Sequence, residues 1–300
     1  MRQKFQETVS NLFPQNENLV LLLGDIGVFS FRKLFEEYPT RAINMGIMEQ
    51  ATISFAAGLS SSGKIPIVHT ITPFLIERPY EQLKVDFGYQ NLCGKFISVG
   101  ASYDYGTLGA THHSPGDVNA VLGLPGFDIF LPSTAAELEA QLVDEIPKNS
   151  RSYFRLTEGS PPSHPLLDSV RGSKLLFGGS SRFLVVLFGS VKSELPQMLG
   201  DMGHSVIYVN SITTESKREL NRLIEACSPE SVLVIEPFYE GTSAHLFDLS
   251  KTAYKLTFLG VPRVFIHDYG TRDELDLVTG LDVVTIMKRV SKEMTSEALS

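Results

Sequence analysis

Along this 300-residue chain, continuous apolar runs alternate with mixed, helix-like stretches. Residues 19–23 (Leu-Val-Leu-Leu-Leu) form an unbroken apolar run that ends in Gly24-Asp25. A run of that length bounded by turn residues predicts a parallel strand buried on both faces. Strands are also predicted at 41–44, 65–71, 95–99, 128–131 and 152–156. Helices are predicted at 31–38, which Pro39 ends, and at 49–62, 80–91, 117–122 and 135–146. Residues 157–174 break the rhythm with Gly159, Pro161, Pro162, Pro165 and Gly172, and read as a linker between domains. A second alternating block follows. Its expected strands are 183–188, 206–209, 232–235, 255–260 and 264–266, and its helices 191–202, 217–227, 241–249 and 282–299. Alternation of this kind implies mostly parallel sheets covered on both faces. The expected fold class is therefore α/β, with two consecutive three-layer domains: residues 1–158, a linker at 159–174, and residues 175–300. The two blocks share a class without an internal repeat.

Apolar residues at 43% and charged residues at 20% fit a soluble globular chain with a sizeable core. The net charge of −8 and the pI near 5.4 argue against nucleic acid or an anionic membrane as the main partner. A local basic pocket for phosphates stays compatible with that balance. Cys93 and Cys227 are far apart, so a disulfide framework is not expected, and a reduced cytoplasmic setting is. The start, Met1-Arg2-Gln3-Lys4-Phe5, lacks the apolar core of a signal peptide. No run of about 18 apolar residues predicts a membrane-spanning helix.

One carboxylate, Glu49, stands at the mouth of a predicted helix whose next residues are small and apolar. An acid placed there is costly unless something uses it, although it also offsets the helix dipole. Residues 41–58, Arg-Ala-Ile-Asn-Met-Gly-Ile-Met-Glu-Gln-Ala-Thr-Ile-Ser-Phe-Ala-Ala-Gly, closely resemble the glutamate motif of the transketolase-like, thiamine-diphosphate-dependent enzymes. The resemblance implies that Glu49 bonds the cofactor's aminopyrimidine ring and favours its reactive tautomer, a catalytic as well as a cofactor-binding role. Residues 66–81 resemble the family's next segment, which presents aromatics to that ring. Phe74 matches its start and Tyr80 a later aromatic. Glu77 replaces the usual stacking phenylalanine unless the register shifts by one. Core packing is the other reading of both aromatics. Arg78 matches a substrate-facing arginine of the related deoxyxylulose-phosphate synthases, or serves a surface ion pair.

The loop 100–117 is similar to the family's Gly-x-x-Gly-x-Thr-His segment. Thr111-His112 falls on the Thr-His pair, which gives His112 a catalytic and substrate-binding role. His113 is a second substrate-facing candidate. In an extended chain the two rings point opposite ways, so one of them is expected to face the site. No metal ligands cluster at zinc spacing. Leu108 and Gly100 stand where sugar-phosphate transketolases carry an aspartate and a histidine, which argues against the ordinary pentose-phosphate substrates. Arg155 matches an arginine that clamps a substrate phosphate or carboxylate, with a structural salt bridge as the other reading. Gly24-Asp25-Ile26-Gly27 only begins like the motif that precedes a magnesium site. Asp25 is accordingly read as a pocket-edge residue near cofactor or substrate, and no metal site is expected on this chain. Residues 260–274 resemble the family's C-terminal domain, which supports assembly.

The resemblance covers nearly the whole chain but only the second half of a full transketolase. It implies a split enzyme. Thiamine diphosphate would be shared with an N-terminal-type subunit that carries the diphosphate-binding domain and holds Mg²⁺. Self-association would make a heterotetramer, and the substrate would be a small sugar that receives or gives a two-carbon ketol unit. A beta subunit of a 2-oxo acid decarboxylating dehydrogenase, or a non-catalytic assembly subunit, shares the layout.

Overall fold

A computed structural model describes residues 1–158, 170–179, 182–190, 192, 194–250 and 254–297. The chain opens with α1 (Arg2–Leu12), an element that the apolar runs do not predict. Phe5 and Val9 recur one helical turn apart and are fully buried, with Phe13 following at the same spacing. The first alternating block is β1 (Leu19–Leu23), α2 (Arg32–Glu37), β2 (Ala42–Asn44), α3 (Glu49–Ser61), β3 (Ile65–Ile71), α4 (Tyr80–Gln82), β4 (Gly94–Val99), α5 (Asp117–Leu122), β5 (Phe127–Phe130), α6 (Ala135–Glu145) and β6 (Arg151–Arg155). The second is β7 (Ser173–Phe177), β8 (Phe183–Phe188), α7 (Leu195–Asp201), β9 (Ser205–Val209), β10 (Ser211–Ile212), α8 (Thr214–Cys227), β11 (Ser231–Tyr239), β12 (Lys255–Val261), α9 (Arg272–Thr279) and α10 (Val283–Glu297).

Seven strands form one sheet in the order β10-β5-β6-β4-β3-β1-β2, and five form a second in the order β12-β11-β8-β9-β7. The pairings are parallel except β10 on β5 and β7 on β9. The fully buried runs of β1, β4 and β8 follow from this layout, since helices cover both faces of each sheet. The α/β fold class holds. The sheets also share a core: Leu22, Phe96 and Tyr153 of the first belong to the same apolar cluster as Val186, Ile207 and Val234 of the second. β10 carries the second block back onto the edge of the first sheet, where Ser211 pairs with Phe130.

Several elements differ from expectation for local reasons. Residues 159–169 of the expected linker lie outside the described residues, and β7 begins within its last part, at Ser173. The helix expected over 241–249 is only a short 3₁₀ turn, Thr242–Leu246. Its leading amides, at Gly241, Thr242 and Ser243, donate to the buried Glu236 carboxylate. Residues 264–266 form no strand, and Val264 and Phe265 are exposed. The helix expected over 80–91 is α4 followed by a π-helical stretch, Leu83–Tyr89. Among the described residues, no helix is long and apolar enough to cross a membrane.

Candidate active site

The chain places β2 on one side of β1 and then returns to place β3 on the other. Loops leaving the carboxyl ends of β1 and β3 therefore diverge, and open α/β sheets bind ligands in such a crevice. Gly24 ends β1 there. A Cβ at this position would sit 2.9 Å from the Thr70 side chain on β3, so a larger residue would push the strands' exits apart. Beside it lies a cavity of about 10 Å³, lined in part by Gly24, Gly46, Glu49, Thr70 and Phe74.

Glu49 is the first residue of α3, whose preceding residue, Met48, supplies no side-chain cap. Its carboxylate thus stands at the positive end of the helix. The side chain is 12% exposed, and its Oε1 accepts a 2.6 Å hydrogen bond from the Arg78 guanidinium. That guanidinium lies 3.9 Å from the centre of the Phe74 ring. Gln50 Nε2 adds a 3.3 Å bond to the Arg78 carbonyl. Arg78 gets there through a π-turn, Pro73–Glu77, closed by the Arg78 amide on the Pro73 carbonyl at 3.0 Å. Such a turn inserts one residue into helical winding. It turns Glu77 off the face that carries Phe74 and Arg78. Glu77 instead accepts from Ser114 Oγ at 2.7 Å, and burial pushes its carboxyl up.

The loop 100–116 forms the facing wall. The amide of Ser114 bonds the Ser102 carbonyl at 3.0 Å and closes the loop on itself. His112, half-buried, meets Phe74 edge-on at 5.1 Å and Tyr105 at 6.4 Å between ring centres. Its Nδ1 lies 2.9 Å from Thr111 Oγ1. His113 turns the other way, edge-on to Tyr103 at 4.9 Å, and burial lowers its pKa. Tyr105 accepts from Arg2 at 2.6 Å and donates to Glu158 at 3.0 Å, so α1 and the segment that follows β6 complete the rim. The second block braces the loop: Arg272 pairs with Asp104 at 2.7 Å, and the Tyr269 ring covers Gly109.

Residues 1–163 match the family described as transketolase, pyrimidine binding domain. The chain belongs to that family. An uncharacterized 33.6 kDa protein in the fasciation locus of Rhodococcoides fascians is 30% identical over 96% of this chain and 92% of its own length. A putative transketolase C-terminal section of Methanocaldococcus jannaschii is 25% identical over 99% of this chain and 97% of its own. A solved structure described as a split gene transketolase, inactive beta4 tetramer, superposes with a TM-score of 0.81 at 23% identity, covering 98% of this chain and 97% of that one. That likeness establishes the fold.

Within this pyrimidine-binding fold, the site residues expected from the sequence fall into two groups. Glu49, Phe74, Arg78 and His112 converge on the crevice. Asp25 is at its edge, exposed and in the left-handed region (φ 56°), where Asn44 holds it through a 3.0 Å bond to its carboxylate and a 3.1 Å bond from its amide. Tyr80 does not join them. It packs on the central core with its hydroxyl beside Gly123, because the π-turn displaces everything after residue 77. His113 faces Tyr103 rather than Phe74, with its Nε2 unpartnered. Arg155 is corrected most. It is 2% exposed and donates to Asp117 at 2.7 Å, to Ser102 Oγ at 2.5 Å and to the Pro237 carbonyl at 3.1 Å. Its guanidinium joins the two sheets and is not open to a substrate. Sequence reasoning missed Arg2, Tyr105 and Glu158. The spacing of Phe5, Val9 and Phe13 was the available signal for α1, and hence for Arg2.

Proposed function

We propose that this chain is the pyrimidine-binding, C-terminal section of a split transketolase-like enzyme that transfers a two-carbon ketol unit between sugar-type substrates. A partner chain would carry the diphosphate-binding half and its Mg²⁺. Family membership implies thiamine diphosphate, and the donor set fits its aminopyrimidine: a largely buried carboxylate beside an aromatic ring. The flat, N–H-bearing guanidinium of Arg78 now meets both, bonded to Glu49 and stacked on Phe74. When bound, the cofactor supplies a carbon nucleophile and an electron sink for breaking a bond beside a carbonyl. Glu49 would hold a proton at the ring nitrogen, in surroundings where water competes poorly. Phe74 would cover the ring face. His112, with Nδ1 engaged by Thr111, offers Nε2 to a substrate hydroxyl or carbonyl. Leu108, 51% exposed on the same loop, supports an acceptor other than the ordinary pentose phosphates. Ile47 and Met48, next to Glu49 in sequence, are 72% and 56% exposed, and a second chain would cover them.

The observation that carries this reading is the Glu49 carboxylate, 12% exposed, on the same cavity as Phe74 at the switch point of the sheet. Glu49→Gln in the reconstituted complex is expected to lower kcat by about 10³-fold, within the range for loss of a positioned acid–base group. Thermal stability and partner association should be unchanged. Turnover within about threefold of wild type would end the proposal.

A further inference from the structure

Glu49 and Phe74 are the two groups to which the reading above, on which this inference rests, assigns the aminopyrimidine. In the free chain one side chain of the same polypeptide holds both. The Arg78 guanidinium donates to Glu49 at 2.6 Å and lies 3.9 Å over the Phe74 ring. The space left beside them is about 10 Å³, about enough for a single water. A six-membered ring with a methyl and an amino substituent does not fit in that space, and the Glu49 oxygen and the Phe74 face that such a ring would use are both taken by Arg78.

We infer that Arg78 is an internal latch: it occupies the aminopyrimidine position in the free subunit and must leave before the ring can enter. A guanidinium is suited to the task. It is planar, stacks on an aromatic face and presents N–H donors to a carboxylate, as a protonated aminopyrimidine edge would. A carboxylate that is 12% exposed and unpaired would be costly, and Arg78 removes that cost until a ligand arrives. Release is also built in. The Arg78 side chain is 45% exposed, so it can rotate into solvent without disturbing a packed core. Its backbone is fixed independently, by the amide bond to Pro73 and by Gln50 on its carbonyl, so the π-turn keeps its shape when the side chain leaves. The open space over the Gly46 α-carbon lies at the mouth of the same crevice. A neutral ring has no N–H at that nitrogen, so one proton is taken from solvent and held between the ring nitrogen and Glu49 in place of the guanidinium N–H, and the freed Arg78 becomes a cation at the edge of the site.

The test uses the full free chain and the probe 4-amino-5-hydroxymethyl-2-methylpyrimidine, which has no diphosphate and so does not need the partner. Binding is read by ligand-observed NMR and calorimetry. Arg78→Gln is expected to bind the probe about tenfold more tightly than wild type, and Arg78→Lys, which keeps the charge but loses the planar fork, by less. Added salt is expected to tighten binding to wild type, by screening the half-exposed pair, and to leave Arg78→Gln unchanged. Glu49→Gln should abolish binding in either background. If wild type and Arg78→Gln bind equally, or the variant binds more weakly, the latch is wrong and the cofactor site stands. If neither binds while the variant's melting curve shows it folded, the assignment of Glu49 to the cofactor fails, and the latch with it.

Discussion

His69, on β3, is fully buried on the α1 side of the first sheet and packs against Phe5 of α1 at 4.6 Å. Its Nδ1 donates to the Ile97 carbonyl at 2.8 Å, and its Nε2 has no partner. Burial, helped by the nearby Arg2 charge, depresses its pKa to about 4 from an ordinary value of 6.5. The unfolded chain therefore binds the extra proton first as pH falls. The contribution of the neutral ring to stability is complete above 6.5 and is lost as pH drops toward 4. Going from about pH 7.5 to about pH 5, this residue alone is expected to remove about 2 kcal/mol. His69→Leu, compared with wild type by urea denaturation at both pH values, isolates that slope. The lost Ile97 bond offsets the variant equally at each pH. Equal pH dependence in the two proteins would show that the ring is not held neutral. At this scale the sequence revealed residue identity better than residue duty. Glu49 was singled out by the likeness of residues 41–58 to the family's glutamate motif, since on position alone an acid at a helix start serves the helix dipole equally well. For Arg155 both readings stayed open, because a strand-end arginine looks the same in a sequence whether it faces a substrate or a buried aspartate; the structure has the salt bridge.

Elements, not loops, settle where Arg155 belongs. β6 delivers its guanidinium to the start of α5, where Asp117 is 0% exposed and also accepts from Tyr153 at 2.7 Å. The same guanidinium reaches Pro237 on β11. Removing it leaves a buried carboxylate without its counter-charge, so Arg155→Met is expected to cost about 3–5 kcal/mol of stability. The denaturation midpoint measures that cost. A wild-type midpoint together with a raised KM for an anionic substrate would restore the clamp reading. β1 and β8 were the most readable strands, because five and six consecutive apolar residues have few other uses in a chain of this composition. The π-turn at Pro73–Glu77 was not. One inserted residue leaves the composition of a helix unchanged, yet it decides that Arg78 and not Glu77 faces Glu49, and that Tyr80 turns into the core. The only trace in the sequence was an acid where the family's stacking aromatic belongs, which a shift of one residue accounts for.

On the scale of the whole molecule, the two sheets share one core, and the second braces the loop that carries His112. The charge around the crevice has a consequence for the cofactor. Three cations near it are already paired: Arg78 with Glu49, Arg2 with Glu158 and Arg272 with Asp104. Asp25 adds an exposed carboxylate at the edge, and the chain carries a net charge of −8. Among the described residues, no group of three or more His, Cys, Asp or Glu is placed to hold a metal ion. A diphosphate brings further negative charge and relies on a hard cation held by oxygen ligands. Nothing described on this face rewards it, whereas on the proposed reading the aminopyrimidine half would meet Glu49 and Phe74 once Arg78 leaves. The free chain is therefore expected to bind thiamine and thiamine diphosphate with affinities within about threefold of each other, a difference of well under 1.4 kcal/mol, and with no response to Mg²⁺. Calorimetry with both ligands, with and without the ion, reads this directly. Adding a subunit that bears the diphosphate half should introduce the Mg²⁺ requirement and the preference for the diphosphate together. A tenfold preference for the diphosphate by the free chain would mean that the cradle is on this polypeptide after all, and the division of labour between two chains would have to be given up.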